Sequence, residues 1–339
     1  MTRKLLNRKS AALLLGSLTS TTLGITRAGA QTNPYVIRVG MGESGTAPSV
    51  LAALEFKRAV EANSKGRIQV QVYPANQLGT AISTMQQLKS GSVQMTGIAA
   101  DYMAQFFPDM GIFGLLFLFP NRDRVYRALD GRLGDDIKTQ IVARTGIRML
   151  GIGDFGYKNV FSRKGAVQTV ADLRGLKLRV IPNPIAIESF KALGVLPSTV
   201  DYSEVYTAIQ QGVIDGGEIP FSTFLNGKLY EVAPYMSNTR HALSFMTFYM
   251  NDAFYRSLAP DLQKIVTDAG TKAAIFDRKA SLDAETSARA DLLTKGTKIN
   301  EVAPAEIAKM RATQQPVYDH AKTIGPDAAR WIQQFLDLK

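Results

Sequence analysis

The sequence of 339 residues has no cysteine and only two histidines. The first absence removes disulfides, thiolate nucleophiles and cysteine-ligated metals together. The second leaves His241 and His320, too far apart in the chain for metal-ligand spacing, so no metal or cofactor is expected. Basic residues form no block resembling a nucleic-acid footprint. The leading apolar stretch, Ala11 to Leu18, is too short to span a bilayer, so no stable membrane insertion is expected. Neither Ser-x-x-Lys nor Gly-x-Ser-x-Gly occurs, and nothing positive supports an enzyme.

What stands at the N-terminus is an export signal. Arg3, Lys4, Arg8 and Lys9 precede the apolar stretch, and Ala28-Gly29-Ala30 supplies a small-x-small cleavage site. Residues 1–30 are expected to be removed, leaving a periplasmic chain from Gln31. With no cysteine after the site, the mature end is expected to carry no lipid. The formal charge of +11 then falls by five (Arg3, Lys4, Arg8, Lys9 and Arg27) to +6, a mild field that helps attract anions. About 300 residues without disulfides are ample for a core in one large or two modest domains.

Strand and helix signals alternate, the signature of an α/β layer fold. Tyr35 to Val39 reads as a strand, and Pro48 opens a helix to about Asn63 with Gly66 as its stop. Ile68, Val70 and Val72 alternate with Arg67, Gln69 and Gln71, which predicts a half-exposed strand near a sheet edge. A helix over Thr80 to Ser90, a strand over Val93 to Ile98, a charged helix over Asp123 to Arg144 and a strand over Ile147 to Ile152 follow. A similar unit comprises a strand at Leu176 to Ile181, helices at Pro184 to Leu193 and Tyr202 to Gln211, and a strand at Val213 to Glu218. Leu88-Lys89-Ser90-Gly91-Ser92-Val93 and Ile209-Gln210-Gln211-Gly212-Val213 share a helix, glycine, strand pattern that suggests two lobes of related design. After a late strand at Phe245 to Met250, Pro260 opens a helix to about Lys295, long enough to span both lobes. Its positions Leu262, Val266, Ala269, Ala273, Phe276 and Ala280 are expected to be core.

Two motifs are set aside. Gly40-Met41-Gly42-Glu43-Ser44-Gly45 matches the dinucleotide fingerprint, but no acid ends a second strand at the required distance. A ligand-facing loop after the first strand is the better reading. Asp154-Phe155-Gly156 spells a kinase motif without its other parts.

From Asp172 to Val180, Asp-Leu-Arg-Gly-Leu-Lys-Leu-Arg-Val, the chain resembles the substrate receptors of tripartite ATP-independent periplasmic (TRAP) transporters, the group that includes dicarboxylate and sialic-acid receptors. The likeness extends over essentially the whole mature chain. It includes Gly66-Arg67-Ile68 with Tyr73 to Gly79, Ser203 to Ala208 with Gly212 to Gly216, and Tyr230-Glu231-Val232 with His241. It implies a two-lobed periplasmic-binding-protein type, with two α/β domains joined by crossing strands and a long lobe-spanning helix. The expected division is lobe I over 31–154 plus about 245–285, and lobe II over 155–244 plus about 286–339. A monomer that hands a small organic anion to TRAP-type permease subunits is implied.

The resemblance assigns the carboxylate grip to Arg179, whose planar guanidinium offers paired donors and keeps its charge in a closed cleft. Two departures fall near it. Where the family has Gln and Asn, Asp215-Gly216-Gly217-Glu218-Ile219-Pro220 carries Gly217 and Ile219, and Ile219 can donate no side-chain hydrogen bond. Lys158 stands where relatives commonly have arginine, keeping the charge without the fork. Tyr202 matches a family aromatic over the ligand, with Phe155, Tyr157 and Phe221 expected nearby. Glu43 and Asp101 match cleft positions, either to accept from ligand hydroxyls or to pair with Lys158. These swaps imply an aromatic or apolar monocarboxylate, of the 2-oxo or 2-hydroxy acid type; the alternative is an ordinary dicarboxylate. An ATP-driven importer's binding protein shares the two-lobed design, but the long helix and the Leu-Lys-Leu-Arg-Val strand argue against it.

Overall fold

The computed structural model describes residues 34–119 and 121–338. The expected leader and its cleavage site lie outside the described residues. Among those residues β1 (Tyr35–Met41), β2 (Ile68–Tyr73), β3 (Met95–Ala99) and β4 (Ile147–Ile152) belong to a first sheet. β5 (Gly156–Ser162), β6 (Lys177–Arg179), β7 (Leu196–Ser198), β8 (Gly216–Ile219) and β9 (Tyr235–Ser244) belong to a second. β10 (Met246–Asn251) returns to the first and β11 (Lys298–Glu301) to the second. The first sheet has the order β2-β1-β3-β10-β4, with β10 antiparallel to both neighbours. The second has the order β11-β9-β5-β8-β6-β7. β2 is an edge strand, as its alternation suggests.

The helices are α1 (Pro48–Ser64), α2 (Ala81–Ser90), α3 (Arg122–Leu129), α4 (Arg132–Thr145), α5 (Pro184–Ala192), α6 (Val205–Gln210) and α7 (Phe221–Asn226). They continue with α8 (Asp252–Ser257), α9 (Pro260–Thr294), α10 (Pro304–Ala312), α11 (Gln315–Ala321) and α12 (Ala328–Leu336). α1 opens on Pro48, whose missing N–H costs nothing in a first turn, and buries Val50, Ala53, Phe56 and Val60 at helical spacing. It stops at Lys65, which itself adopts a left-handed conformation, one residue before the expected Gly66. Thr80 caps α2 by accepting from the Ser83 N–H, and Gly91 ends it at φ 83°.

The single charged helix expected over Asp123 to Arg144 is two. α3 ends at Leu129, and a Cβ on Gly134 would lie 1.7 Å from the Leu129 carbonyl oxygen, so only glycine lets α4 start this close. The expected Tyr202 helix begins as a 3₁₀ turn over Tyr202–Glu204 before α6. β5 and β9 carry no clear sequence signal, because buried polar groups such as Lys158, Asn159, Thr239 and His241 interrupt their apolar faces.

Among the described residues the chain crosses between the sheets directly from β4 to β5 and from β9 to β10, and a third time through α9, from β10 to β11. The two direct crossings lie side by side: the Gly153 N–H donates to Met246 O (2.6 Å) and the Phe155 N–H to Ser244 O (3.1 Å). α9, with 35 residues and so about 52 Å long, lies across them. Its Asp277 accepts from the Asp154 N–H (2.8 Å), Ser281 donates to Asp154 O (2.8 Å), and Glu285 accepts from the Phe221 and Ser222 N–H groups at the start of α7. A Cβ on Gly153 would lie 2.1 Å from Asp277 Oδ2, so this close approach requires glycine. The buried stripe of α9 runs through Leu262, Val266, Ala269, Ala273, Asp277 and Ser281. Phe276, expected in the core, falls just off the stripe and is 41% exposed.

The C-terminal segment packs in two places. β11 and α10 pack with the second sheet, Met310 joining Leu178 and Phe190. α11 and α12 instead pack among Phe107, Phe113, Phe119 and Ile137, and the Trp331 indole donates to Asp136 on α4 (2.7 Å). Their apolar faces thus pack in a cluster that also takes in Ile181 before α5 and Ile185 on it, so the C-terminal segment touches the cores of both sheets.

Candidate functional site

In both sheets the parallel strands aim their carboxyl ends at one cleft, the usual place for a ligand in open α/β sheets. β1 leads into Gly42 and Glu43, β3 runs into a 3₁₀ turn with Asp101 and Tyr102, β6 ends at Arg179 and β8 at Ile219. Between them lies a cavity that admits water centres over about 70 Å³, room for about five to seven waters. That is the scale of a small organic molecule. Met41, Ile98, Phe155, Ile181, Ile219 and Met246 give it an apolar wall; Glu43, Tyr102, Lys158, Arg179, Tyr202 and Glu218 supply polar atoms.

Arg179 is 3% exposed. Its Nε donates to Val200 O (3.0 Å) and its Nη2 to the Tyr102 hydroxyl (2.8 Å). Burial works against its charge, but Tyr102 and Glu218 more than offset that and raise its pKa. Lys158, equally buried, has its Nζ 3.3 Å from Asp101 Oδ1 and 3.4 Å from Glu218 Oε2. Burial opposes this charge too, yet the two carboxylates prevail and raise the ammonium pKa. Glu218 is the mirror case: burial pushes its carboxyl up, and Lys158, His241 and Arg179 together bring it below the usual range. His241 places Nε2 3.5 Å from Glu218 Oε2, with Nδ1 2.7 Å from Thr239 Oγ1. The cluster is therefore charged and internally balanced, as buried charges must be.

Glu43 behaves differently. No cation pairs with it among the described residues; Ser49 and Thr223 donate to its two oxygens (2.5 and 3.4 Å), and burial raises its pKa in spite of them. Tyr202 donates to Thr223 O (3.3 Å), and burial lifts its phenol well above the ordinary value.

Of the ten residues singled out from the sequence, Glu43, Phe155, Lys158, Arg179, Tyr202 and Ile219 line the cavity. Four do not. Asp101 stands behind Lys158 and also accepts from Ser244 (2.9 Å). Tyr157 neighbours Lys158 on a strand and so faces the other way. Its ring lies under the guanidinium groups of Arg240 (3.9 Å) and Arg122 (5.2 Å). Gly217 is a packing position, since a Cβ there would meet the Phe161 ring at 3.0 Å. Phe221 starts α7 and is buried in the core with Val205, Phe224 and Leu292. Tyr102, Glu218 and Thr223 line the cavity without having been singled out. Glu218 was legible, as the acid of the same block as Ile219; Tyr102 had only its place beside Asp101.

Residues 39–323 match the family described as bacterial extracellular solute-binding protein, family 7. The chain is 29% identical over 243 residues to the 2,3-diketo-L-gulonate-binding periplasmic protein of Escherichia coli, covering 72% of this chain and 74% of that one. In structure it is similar to a sugar acid binding protein of Advenella mimigardefordensis in complex with galactonate (TM-score 0.86, 28% identity, 90% of this chain and 98% of that one). It is also similar to a TRAP periplasmic solute-binding protein of Bordetella bronchiseptica with density assigned to pantoate (TM-score 0.84, 28% identity, 90% and 99%). The crossing strands, the long helix and the cleft at the strand ends are those of this group, and the chain belongs to family 7 of the bacterial extracellular solute-binding proteins, the receptors of TRAP transporters.

Proposed function

We propose that this receptor works in the periplasm and captures a small acid with one carboxylate and an apolar, aromatic or branched remainder, of the 2-oxo or 2-hydroxy type, for delivery to a TRAP-type permease. One observation carries the reading. Of the two cations at the cavity, Lys158 is matched by Asp101 and Glu218, whereas Arg179 has no carboxylate within ion-pair distance among the described residues. Glu218 and Asp201 act on Arg179 only at longer range, so its guanidinium keeps a donor edge that one ligand carboxylate can take. The cavity's apolar lining, with Ile98, Phe155, Ile219 and Met246, suits an apolar body. A second carboxylate would meet either that lining or the acids Glu43 and Glu218, which disfavours a dicarboxylate. Galactonate and pantoate, named with the relatives above, each carry a single carboxylate.

Capture works by lobe closure. Arg179 and Ile219 come from the second sheet, Glu43 and Tyr102 from the first, so an anion touching both favours the closed state over the open one. The crossings at Gly153–Phe155 and Phe245 are where the backbone must bend. The test is a thermal-shift panel of aromatic and branched 2-oxo and 2-hydroxy monocarboxylates against matched dicarboxylates, since a ligand that binds only the folded state stabilises it. Stabilisation by the monocarboxylates is expected. A response confined to dicarboxylates would overturn the reading.

A further inference from the structure

The Tyr102 hydroxyl has an unused proton in a place where a ligand carboxylate would accept it. Arginine only donates, so in the 2.8 Å bond between Arg179 Nη2 and Tyr102 the phenol oxygen is the acceptor. The phenol's own proton must then point elsewhere. Among the described residues it donates to no acceptor, although Tyr102 is 7% exposed. A buried donor left unmatched is costly, and the cavity that Tyr102 lines is where a partner can stand. On the second lobe's side, Ile219 offers no side-chain donor beside Arg179.

We infer that Tyr102 is a ligand-binding residue, its O–H donating to the same carboxylate that Arg179 grips. This deepens the carboxylate reading above and rests on it. The chemistry is a two-point clamp. Arg179 Nη2 holds the phenol oxygen, which fixes the hydroxyl's position and directs its proton toward an oxygen lying against the guanidinium. Charge-assisted O–H···O⁻ bonds are short and strong. The clamp also has a consequence for closure. Tyr102 stands on the turn after β3 in the first lobe, and Arg179 ends β6 in the second. One carboxylate group held by both would link the lobes directly, without help from the rest of the ligand. Discrimination between a carboxylate and its neutral carboxamide would then depend on both residues.

The experiment is calorimetric titration of pantoate, 3-phenyllactate and their carboxamides into the wild-type protein and Tyr102→Phe, with the radius of gyration measured by X-ray scattering with and without acid. Phenylalanine keeps the ring and removes only the hydroxyl; circular dichroism and the melting midpoint verify that the variant is folded. The expected result is a loss of about tenfold or more in acid affinity, little change for the carboxamides, and less compaction by acid. Equal acid affinity in both proteins would overturn the role of Tyr102 while leaving the receptor reading intact. A wild type that binds neither acid, and no other carboxylate of the thermal-shift panel, would overturn both.

Discussion

Asp154 and Lys158 stand a few residues apart, one at the hinge and one at the cavity, and their surroundings follow opposite rules. Lys158 and its acids match one another: the ammonium sits between Asp101 and Glu218, and the Glu218 carboxyl is held below its usual range once Lys158, His241 and Arg179 overcome its burial. At the hinge, acids gather. Asp154 pairs with Arg122 (2.9 Å), but burial still raises its pKa. Asp277 is driven well above the ordinary carboxylate value by burial, and the charges of Asp154 and Glu43 add to that against the Asp154 N–H donation. Lys158 on β5 and Asp101 after β3 belong to different sheets, so their ion pair is made across the cleft and is part of what closure brings together. At the hinge, burial works against the carboxylate charges of Asp154 and Asp277 more than their partners support them.

The largest effect that could break this comparison is at Lys158. Replacing it by alanine leaves Asp101 and Glu218 buried and unmatched, and a loss of about 3–5 kcal/mol of folding stability is expected. Urea unfolding measures it; wild-type stability in Lys158→Ala would mean that the cluster is not balanced as described.

A smaller effect separates the hinge. Because the Asp277 pKa is raised on folding, its contribution to stability is full below the ordinary carboxylate pKa and is lost as pH rises through the higher folded value. Asp277→Asn removes this titration. The variant should gain about 1 kcal/mol or more on the wild type as the pH is raised, and nothing at acid pH. Parallel melting curves for the two proteins from acid to neutral pH would refute the assignment.

The smallest effect concerns Glu43. Its pKa is raised by burial, so it ionises as pH rises, and an ionised Glu43 repels an anionic ligand. Wild-type acid affinity should weaken with rising pH through that titration. Glu43→Gln should flatten the profile while changing the affinity at its acid end by less than about tenfold. A pH profile unchanged by the substitution would remove Glu43 from the site's electrostatics.

How far the sequence reveals this molecule depends on the same contrast. α9 was legible to within a residue, because Pro260 and Gly296 bracket a continuous helical pattern, and β2 announces its edge position by alternation. β5 and β9 were not, since their inward faces carry Lys158, Thr239 and His241, which read as surface. On α9 the pattern put Phe276 in the core and passed over Asp277, because a carboxyl at a buried position contradicts hydrophobic periodicity unless one knows that a backbone N–H awaits it. Arg179 and Ile219 were legible through their motifs. Tyr157 and Phe221 were aromatic residues in the right stretch of chain, but the pleat of β5 and the packing of α7 turn them away.

The central claim is that Arg179 is the cation left for the ligand. Isothermal titration of Arg179→Ala with the acid that most stabilises the wild type tests it directly. A loss of about 1.5–3 kcal/mol in binding free energy is predicted, the value of a hydrogen bond to a charged group. Unchanged affinity in a folded Arg179→Ala protein would contradict it.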